Sequence, residues 1–301
     1  MIKKINFVDK FKKANLISVV FFFTSILFII FKGLNFGIDF KGGTLIELRV
    51  ENNVSISELR SSLNSMNLGD VNVKEFGKTG DYLIKVEQKA LNNKSLIADI
   101  KSKLVSSFNQ DINFRRVENV GPKVSSELLQ SSLIAISLSL AAMLFYIWIR
   151  FEWQFSVGAI VALFHDVIIT IGVFSILSLE INLSIIAAVL TIVGYSMNDT
   201  VVIYDRIREN LGKFTKFNIL EISNLSINET LSRTIITSLT TLLALFSIYI
   251  LGGEILRGFS FAMILGVFIG TYSSIFVAAP VLKLFNVSYK TLEKKEENIV
   301  A

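Results

Sequence analysis

Five polar side chains stand inside apolar runs of this chain. His165 and Asp166 close Ala162-Leu163-Phe164-His165-Asp166, Asn198 and Asp199 follow Gly194-Tyr195-Ser196-Met197, and Arg233 opens a further run at Ser232-Arg233-Thr234. A carboxylate in a bilayer core costs about 2.5–3.5 kcal/mol on insertion scales, so such a group needs a partner or a water-filled path, and by default it marks ion or proton movement. His165 beside Asp166 has the make-up of a proton relay, because imidazole titrates near neutrality. The alternative is a neutral histidine that hydrogen-bonds a neighbouring helix for packing. Asp199 reads either as a marker of the helix end, with Asp205-Arg206 soon after, or as a functional carboxylate, and its position about 6 Å of helical rise inside that end favours the second reading. Arg233 reads either as an interfacial anchor or as the counter-charge of Asp199, since their two spans run antiparallel through one connection and place both at similar depth.

Other chemistries lack their residues. With one His and no Cys, a structural zinc, a disulfide or thiol catalysis is not expected. Neither His-Glu-x-x-His, Gly-x-Ser-x-Gly nor a Walker-type Gly-x-x-x-x-Gly-Lys-Ser/Thr loop occurs. The expectation is a protein with no metal, no cofactor and no enzymatic activity. Around the ionisable groups lie Gly194, Ser196, Thr200, Thr234, Thr237, Ser238, Thr240 and Thr241, with Gly266, Gly270, Ser273 and Ser274 further on. Small residues let helices approach closely, and their hydroxyls bond across helices or hold water.

The elements that carry these groups are spans. Of 301 residues 52% are hydrophobic and only 18% charged, with a mean hydropathy of +0.58, against about 25% charge in soluble domains. Six runs reach the roughly 20 apolar residues that a bilayer needs: 15–31, 129–149, 155–179, 183–204, 234–251 and 259–284. The first follows Lys3, Lys4, Lys10, Lys12 and Lys13 and reads as an uncleaved anchor rather than a signal peptide. Arg206, Arg208, Lys213 and Lys216 lie in the connection after the fourth span, and Lys290, Lys294 and Lys295 in the tail. The connections 180–182 and 252–258 hold only Arg257 between them. The positive-inside rule then puts both termini in the cytoplasm and residues 33–128 outside. The net charge of +5 reports this topology, not nucleic-acid binding.

Residues 33–128 read as a small water-soluble domain. Strands are expected at 44–50 (Ile46, Leu48 and Val50 alternating), 71–76, 82–86 and 112–117, and helices at 57–66 and 93–108. Ser55 or Ser57 is placed to cap the first helix, and the 77–81 turn to join two strands through Gly77 and Gly80. The order β-α-β-β-α-β is the ferredoxin-like pattern, so the fold class is a membrane all-α six-helix bundle with an inserted α+β ferredoxin-like extracytoplasmic domain. Its parts are 1–32 (cytoplasmic N-terminus and first span), 33–128 (the insert), 129–285 (the remaining spans) and 286–301 (a cytoplasmic tail). Gly37-Ile38-Asp39-Phe40-Lys41-Gly42-Gly43-Thr44 reads as a tight junction between span and insert, with Gly37, Gly42 and Gly43 where a side chain would not fit and Asp39 among them.

In order along the chain, this junction motif, Val120-Gly121-Pro122, Phe164-His165-Asp166, Val193-Gly194-Tyr195-Ser196-Met197-Asn198-Asp199-Thr200-Val201-Val202, Asp205-Arg206-Ile207-Arg208-Glu209-Asn210, Ser232-Arg233-Thr234, Thr237-Ser238 and Gly270-Thr271 resemble the SecF side of the SecD/SecF family, within the resistance-nodulation-division superfamily. The resemblance covers essentially the whole chain. It implies a SecD-like subunit with six further spans, the SecYEG channel, preprotein substrates and the lipid bilayer as partners, no nucleic acid, and a place in the bacterial plasma (inner) membrane. It implies that the proton-motive force assists preprotein translocation, with Asp199 and Arg233 in the polar cluster linked to proton passage. The alternative in another class is a proton-coupled small-molecule exporter subunit of the same superfamily, whose outer insertions are usually much larger.

Overall fold

The computed structural model describes residues 5–50, 54–66, 68–69, 71–75, 79–86, 93–109, 111–214, 216–289 and 291. Lys3, Lys4, Phe76, Gly77, Lys290, Lys294 and Lys295 fall outside them. In chain order the elements are α1 (Val8–Phe31), β1 (Asn35–Phe36), α2 (Ile38–Lys41), β2 (Gly43–Val50), α3 (Ile56–Asn64), β3 (Val71–Glu75), β4 (Asp81–Val86), α4 (Asn93–Phe108), β5 (Ile112–Val120), α5 (Pro122–Arg150), α6 (Trp153–Ile176), β6 (Glu180–Ile181), α7 (Leu183–Lys213), α8 (Ile219–Leu251), α9 (Gly253–Ser273), a π-helical turn (Ser274–Ala278) and α10 (Ala279–Leu284). They form two compact units: Met1–Asn35, Ala135–Leu179 and Ser184–Ala301 in one, Phe36–Ile134 and Glu180–Leu183 in the other.

In the first unit, six helical stretches among the described residues are long and apolar enough to cross a bilayer, in the six places expected: α1, α5, α6, α7, α8 and Leu256–Leu284. All six extend past the apolar runs read from sequence at one end or both, and α1, α5, α7 and α8 do so by seven residues or more. Helix α7 continues from Tyr204 to Lys213, about 13 Å further, so Arg206, Arg208 and Lys213 lie on a helix rather than in a loop. Ion pairs support that extension: Arg150 with Asp205, Arg208 with Glu152, Arg206 with Glu229, and Lys213 with Glu209 one turn back. A charged helical turn persists outside hydrocarbon when i,i+4 and cross-helix partners offset its lost backbone freedom. Helix α8 begins with a capping box in which Asn218 accepts from Leu220 and Glu221 N–H and Glu221 returns the bond.

The burial of these helices is unequal. Helices α6 and α7 and the Leu256–Leu284 stretch are about half buried or more within the chain, whereas α1, α5 and α8 leave most of their apolar surface outward. The core between them holds Phe151, Phe155, Leu163, Val193, Met197, Ile203, Tyr204 and Ala278. Glycines set the closest approaches. A Cβ on Gly266 would stand 2.3 Å from Ile192, and one on Gly172 would stand 2.2 Å from Ser25, so larger residues there would force helices apart.

In the second unit, α3 and α4 accompany a four-stranded sheet in the order β3-β4-β2-β5, every neighbour antiparallel. Thr44 stands opposite Val86 and Arg49 opposite Asp81. The alternation read from sequence sets the faces: Ile46, Leu48 and Val50 turn into a core with Leu59, Leu63, Ile84, Ile100, Leu104 and Ile112. Phe108 packs against this core while Ile97 is only partly buried. Ser55, not Ser57, is the cap of α3, accepting from Glu58 N–H while Glu58 accepts from Ser55 N–H. The bond from Ser55 N–H, and next the Ser55 hydroxyl, hold the Glu58 carboxyl below its usual range.

Candidate functional site

Asp166 is the most enclosed helical carboxylate among the described residues, with none of its surface exposed. It lies near the middle of α6 and is met from two other elements. Ser196 Oγ of α7 donates to Oδ2 at 2.5 Å, Ser273 Oγ at the end of α9 donates to the same oxygen at 2.7 Å, and His165 Nδ1 lies 2.9 Å from Oδ1. Donors arranged in this way replace water around a carboxylate that would otherwise be too costly to bury. The other ring nitrogen, His165 Nε2, is buried without a hydrogen-bond partner among the described residues. Phe22 of α1 stacks parallel to the imidazole with ring centres 6.5 Å apart.

The approach of α7 to α9 that lets both serines reach Asp166 depends on Gly270. A Cβ there would fall 2.9 Å from Ser196 Cβ. One residue past Ser273 the helix widens into the π turn. Pro280, just beyond it, has no N–H to return to the preceding turn, which favours such a widening. Tyr204 of α7 closes the irregularity: its hydroxyl donates to Ala278 O at 2.9 Å, passing Gly158 so closely that a Cβ there would stand 2.2 Å away. π turns of this kind recur at functional sites.

Asp199, one turn from Ser196, is 3% exposed. Its Oδ2 accepts from Thr271 Oγ1 at 3.4 Å, and Thr271 and Ser238 share a bond of 2.7 Å. Helix α9 thus touches both carboxylates, through Thr271 at Asp199 and Ser273 at Asp166. Arg233 does not form the ion pair with Asp199 that depth alone suggested. It is close enough for its charge to act on Asp199, yet its side chain is exposed on α8 while the carboxylate turns inward to α9. Asn198 also faces outward, into an open groove of about 450 Å³ lined by Ser139, Met143 and Tyr146 of α5 and Gly194, Met197 and Val201 of α7.

The junction motif forms a second centre, wholly within the second unit. Ile38–Lys41 makes a single helical turn, and Gly37 N–H donates to Ile181 O at 2.9 Å. A Cβ on Gly37 would fall 2.5 Å from the Glu180 carboxylate. Gly42 (φ +78°) and Gly43 (φ +138°) have backbone angles that other residues rarely adopt, and a Cβ on Gly43 would stand 2.6 Å from Val86 O. Asp39 Oδ2 accepts from Leu183 N–H at 2.9 Å, capping the first residue of α7. Lys85 of β4 pairs with Glu180, both partly buried. Burial and nearby Lys74, against the pull of Asp39, push Lys85 down to about 8, which still leaves it charged at neutral pH.

Sequence reasoning placed Ser196 and Ser273 among small packing residues and left Glu180 in a bare connection. Gly266 and Gly270, four residues apart, lie on the face of α9 that meets Ile192 and Ser196 of α7, a spacing that could have marked that face. Nothing in the spacing showed which carboxylate that face would serve.

Six spanning helices, a buried carboxylate held across three of them and a small α+β unit inserted after the first span define a multi-pass membrane protein of the transport class. Residues 100–288 match the family model described as protein export membrane protein SecD/SecF, C-terminal, and residues 27–54 match the SecD/SecF GG motif. The chain belongs to the SecD/SecF family. It is 47% identical over 277 residues to the protein translocase subunit SecF of Rickettsia bellii, covering 91% of each, and 47% identical over 272 residues to that of Rickettsia akari, covering 89% of this chain and 87% of the relative. The crystal structure of SecDF from Thermus thermophilus, a translocon-associated membrane protein, superposes with a TM-score of 0.83 at 35% identity over 94% of this chain. A SecDF structure in a super-membrane-facing form gives 0.71 at 34% identity over 100%. The chain spans only 39% and 41% of those two solved chains.

Proposed function

We propose that this chain is the SecF-type subunit of a SecDF-type translocase of the bacterial inner membrane, which uses the proton-motive force to assist preproteins through the SecYEG channel. The observation that carries the reading is the agreement of two independent features. One is end-to-end similarity to proteins named SecF, and the other is a carboxylate cluster deep in a helix bundle, which inert packing would replace with apolar residues. The proton-coupling residues are Asp199, Arg233, Asn198, His165 and Asp166. Protonation at Asp166 or Asp199 changes what the hydroxyls of α7 and α9 can donate to, and so changes how these helices pack. His165 Nε2 is the open end of the pair through which a proton enters or leaves.

One such subunit supplies half of the path. Arg233 and Asn198, turned outward at bilayer depth, favour a SecD-like partner that brings its own carboxylates to them, and the limited share of the SecDF chain covered here supports that view. The insert is read as a ferredoxin-like extracytoplasmic domain, 33–128, on the grounds of its β-α-β-β-α-β order and antiparallel β3-β4-β2-β5 sheet. Residues 1–32 and 286–301 carry the cytoplasmic termini, and 129–285 the remaining spans. Gly37, Asp39, Gly42 and Gly43 hold the junction between first span and insert.

The test is preprotein export into inverted vesicles that contain this chain, its SecD-like partner and the channel, with and without an imposed proton gradient. An added gradient should raise export beyond what ATP alone drives. Asp199→Asn and Arg233→Ala should each abolish that gain. Export indifferent to the gradient would defeat the reading.

A further inference from the structure

The segment Glu180–Leu183 joins two spans, yet it folds as part of the insert's unit. Four contacts hold it there. Gly37 N–H donates to Ile181 O, Asp39 caps Leu183 N–H, Lys85 pairs with Glu180, and the missing Cβ of Gly37 leaves the space that the Glu180 carboxylate fills. Lys85 belongs to β4, where it stands opposite Leu45 of β2, so the pair reaches the centre of the four-stranded sheet. The next helix to begin is α7, unbroken from Leu183 through Ser196 and Asp199 to Lys213. A connection this short has no need of a carboxylate turned inward onto a lysine. A solvated polar residue would join the spans equally well.

We infer that Lys85 and Glu180 are a positioning pair that, with the Asp39 cap, fastens the start of the Asp199-bearing helix to the insert's sheet. The inference rests on the translocase reading above and deepens it. A movement of α7 at its proton site reaches Leu183 along a continuous helix, and the fastened segment hands it to β4 instead of losing it in a slack loop. A double charge reversal isolates the pair, because each single reversal removes the attraction and the exchange restores it.

The assay is the vesicle export described above, with full-length chain and partner. If wild type gains nothing from the gradient, the translocase reading itself fails, separately from this inference. Where wild type gains, Lys85→Glu and Glu180→Lys should each lose about fivefold or more of the gradient-driven gain, the range of a typical coupling between sites. ATP-driven export should stay unchanged, and the Lys85→Glu/Glu180→Lys exchange should recover the gain. Single reversals that keep the gain, or an exchange that fails to recover it, overturn the inference. Amide exchange guards against simple unfolding: it should quicken at Leu183 while Leu83 and Ile84 stay protected. Where β4 opens as well, Lys85→Cys/Glu180→Cys bridged by a short bismaleimide decides, since the chain has no other thiol. A bridged protein that keeps its gradient gain supports the fastening, and one that loses it shows that the pair must open.

Discussion

Around Asp166, each donor has a measurable weight. Ser196→Ala and Ser273→Ala each leave one direction of a buried carboxylate unsolvated and should lower stability by about 1–3 kcal/mol, read from unfolding in detergent. Asp166→Asn keeps volume and most hydrogen bonds, so its folding cost should be smaller. It should nevertheless remove the gradient-driven gain in export if the cluster moves protons. Asp205→Asn breaks only the exposed pairs with Arg150 and, more loosely, Arg208, and should shift stability by less than about 1 kcal/mol with export unchanged. The types of these residues were legible in the sequence because an ionisable group in an apolar run is rare. Their order of enclosure was not. Depth in an apolar run singles out Asp199, yet Asp166 is the one sealed by Ser196, Ser273 and His165, because inward direction depends on helix rotation and not on depth.

Among the elements, α3 and the π turn offer the cleanest tests. Ser55→Ala removes the cap of α3 and should cost about 1 kcal/mol, seen as faster amide exchange over Ile56–Asn64. Because the cap holds Glu58 below its usual range, its added support is full above the ordinary carboxylate range and fades as pH falls through the lowered value. Protection of α3 should therefore weaken toward acid, and Glu58→Gln should flatten that dependence. Tyr204→Phe would leave Ala278 O without its donor inside the bundle, at a cost of about 1–3 kcal/mol measured by thermal unfolding. Periodicity placed the insert's strands within about three residues and found all six spans, but it began α1 and α5 seven residues late and α8 fifteen residues late. It ended α7 too early, since apolarity stops at the bilayer while the helix goes on, supported by ion pairs that a hydropathy pattern cannot register.

At the scale of the molecule, the outward apolar faces of α1, α5 and α8 need lipid or protein. Leu16, Ile17 and Phe21 on α1, Leu138 and Trp148 on α5, and Ile236 and Leu243 on α8 are all more than half exposed. Beside them stands Arg233, a charge that lipid would not hold cheaply. Affinity purification in mild detergent should therefore recover the chain with a second protein bearing six spans of its own. Arg233→Ala should weaken that recovery, whereas Arg206→Ala, whose partners Glu209 and Glu229 lie within the chain, should not. Recovery of the wild-type chain alone would count against a partnered half.

The sequence by itself determined the class of protein and most of its elements. Six apolar lengths, the alternation of Ile46, Leu48 and Val50, and the glycines of the junction are local statements, and bilayer thickness and pleat geometry turn them directly into elements. Which groups meet was decided only in three dimensions. Ser196 and Ser273 are far apart in the chain and reach one oxygen of Asp166 because Gly270 lets two helices close. Lys85 and Glu180 pair because a segment between two spans folds back onto a sheet. Arg233 parts from Asp199 because side-chain direction follows the rotation of each helix about its axis, and packing alone sets that rotation.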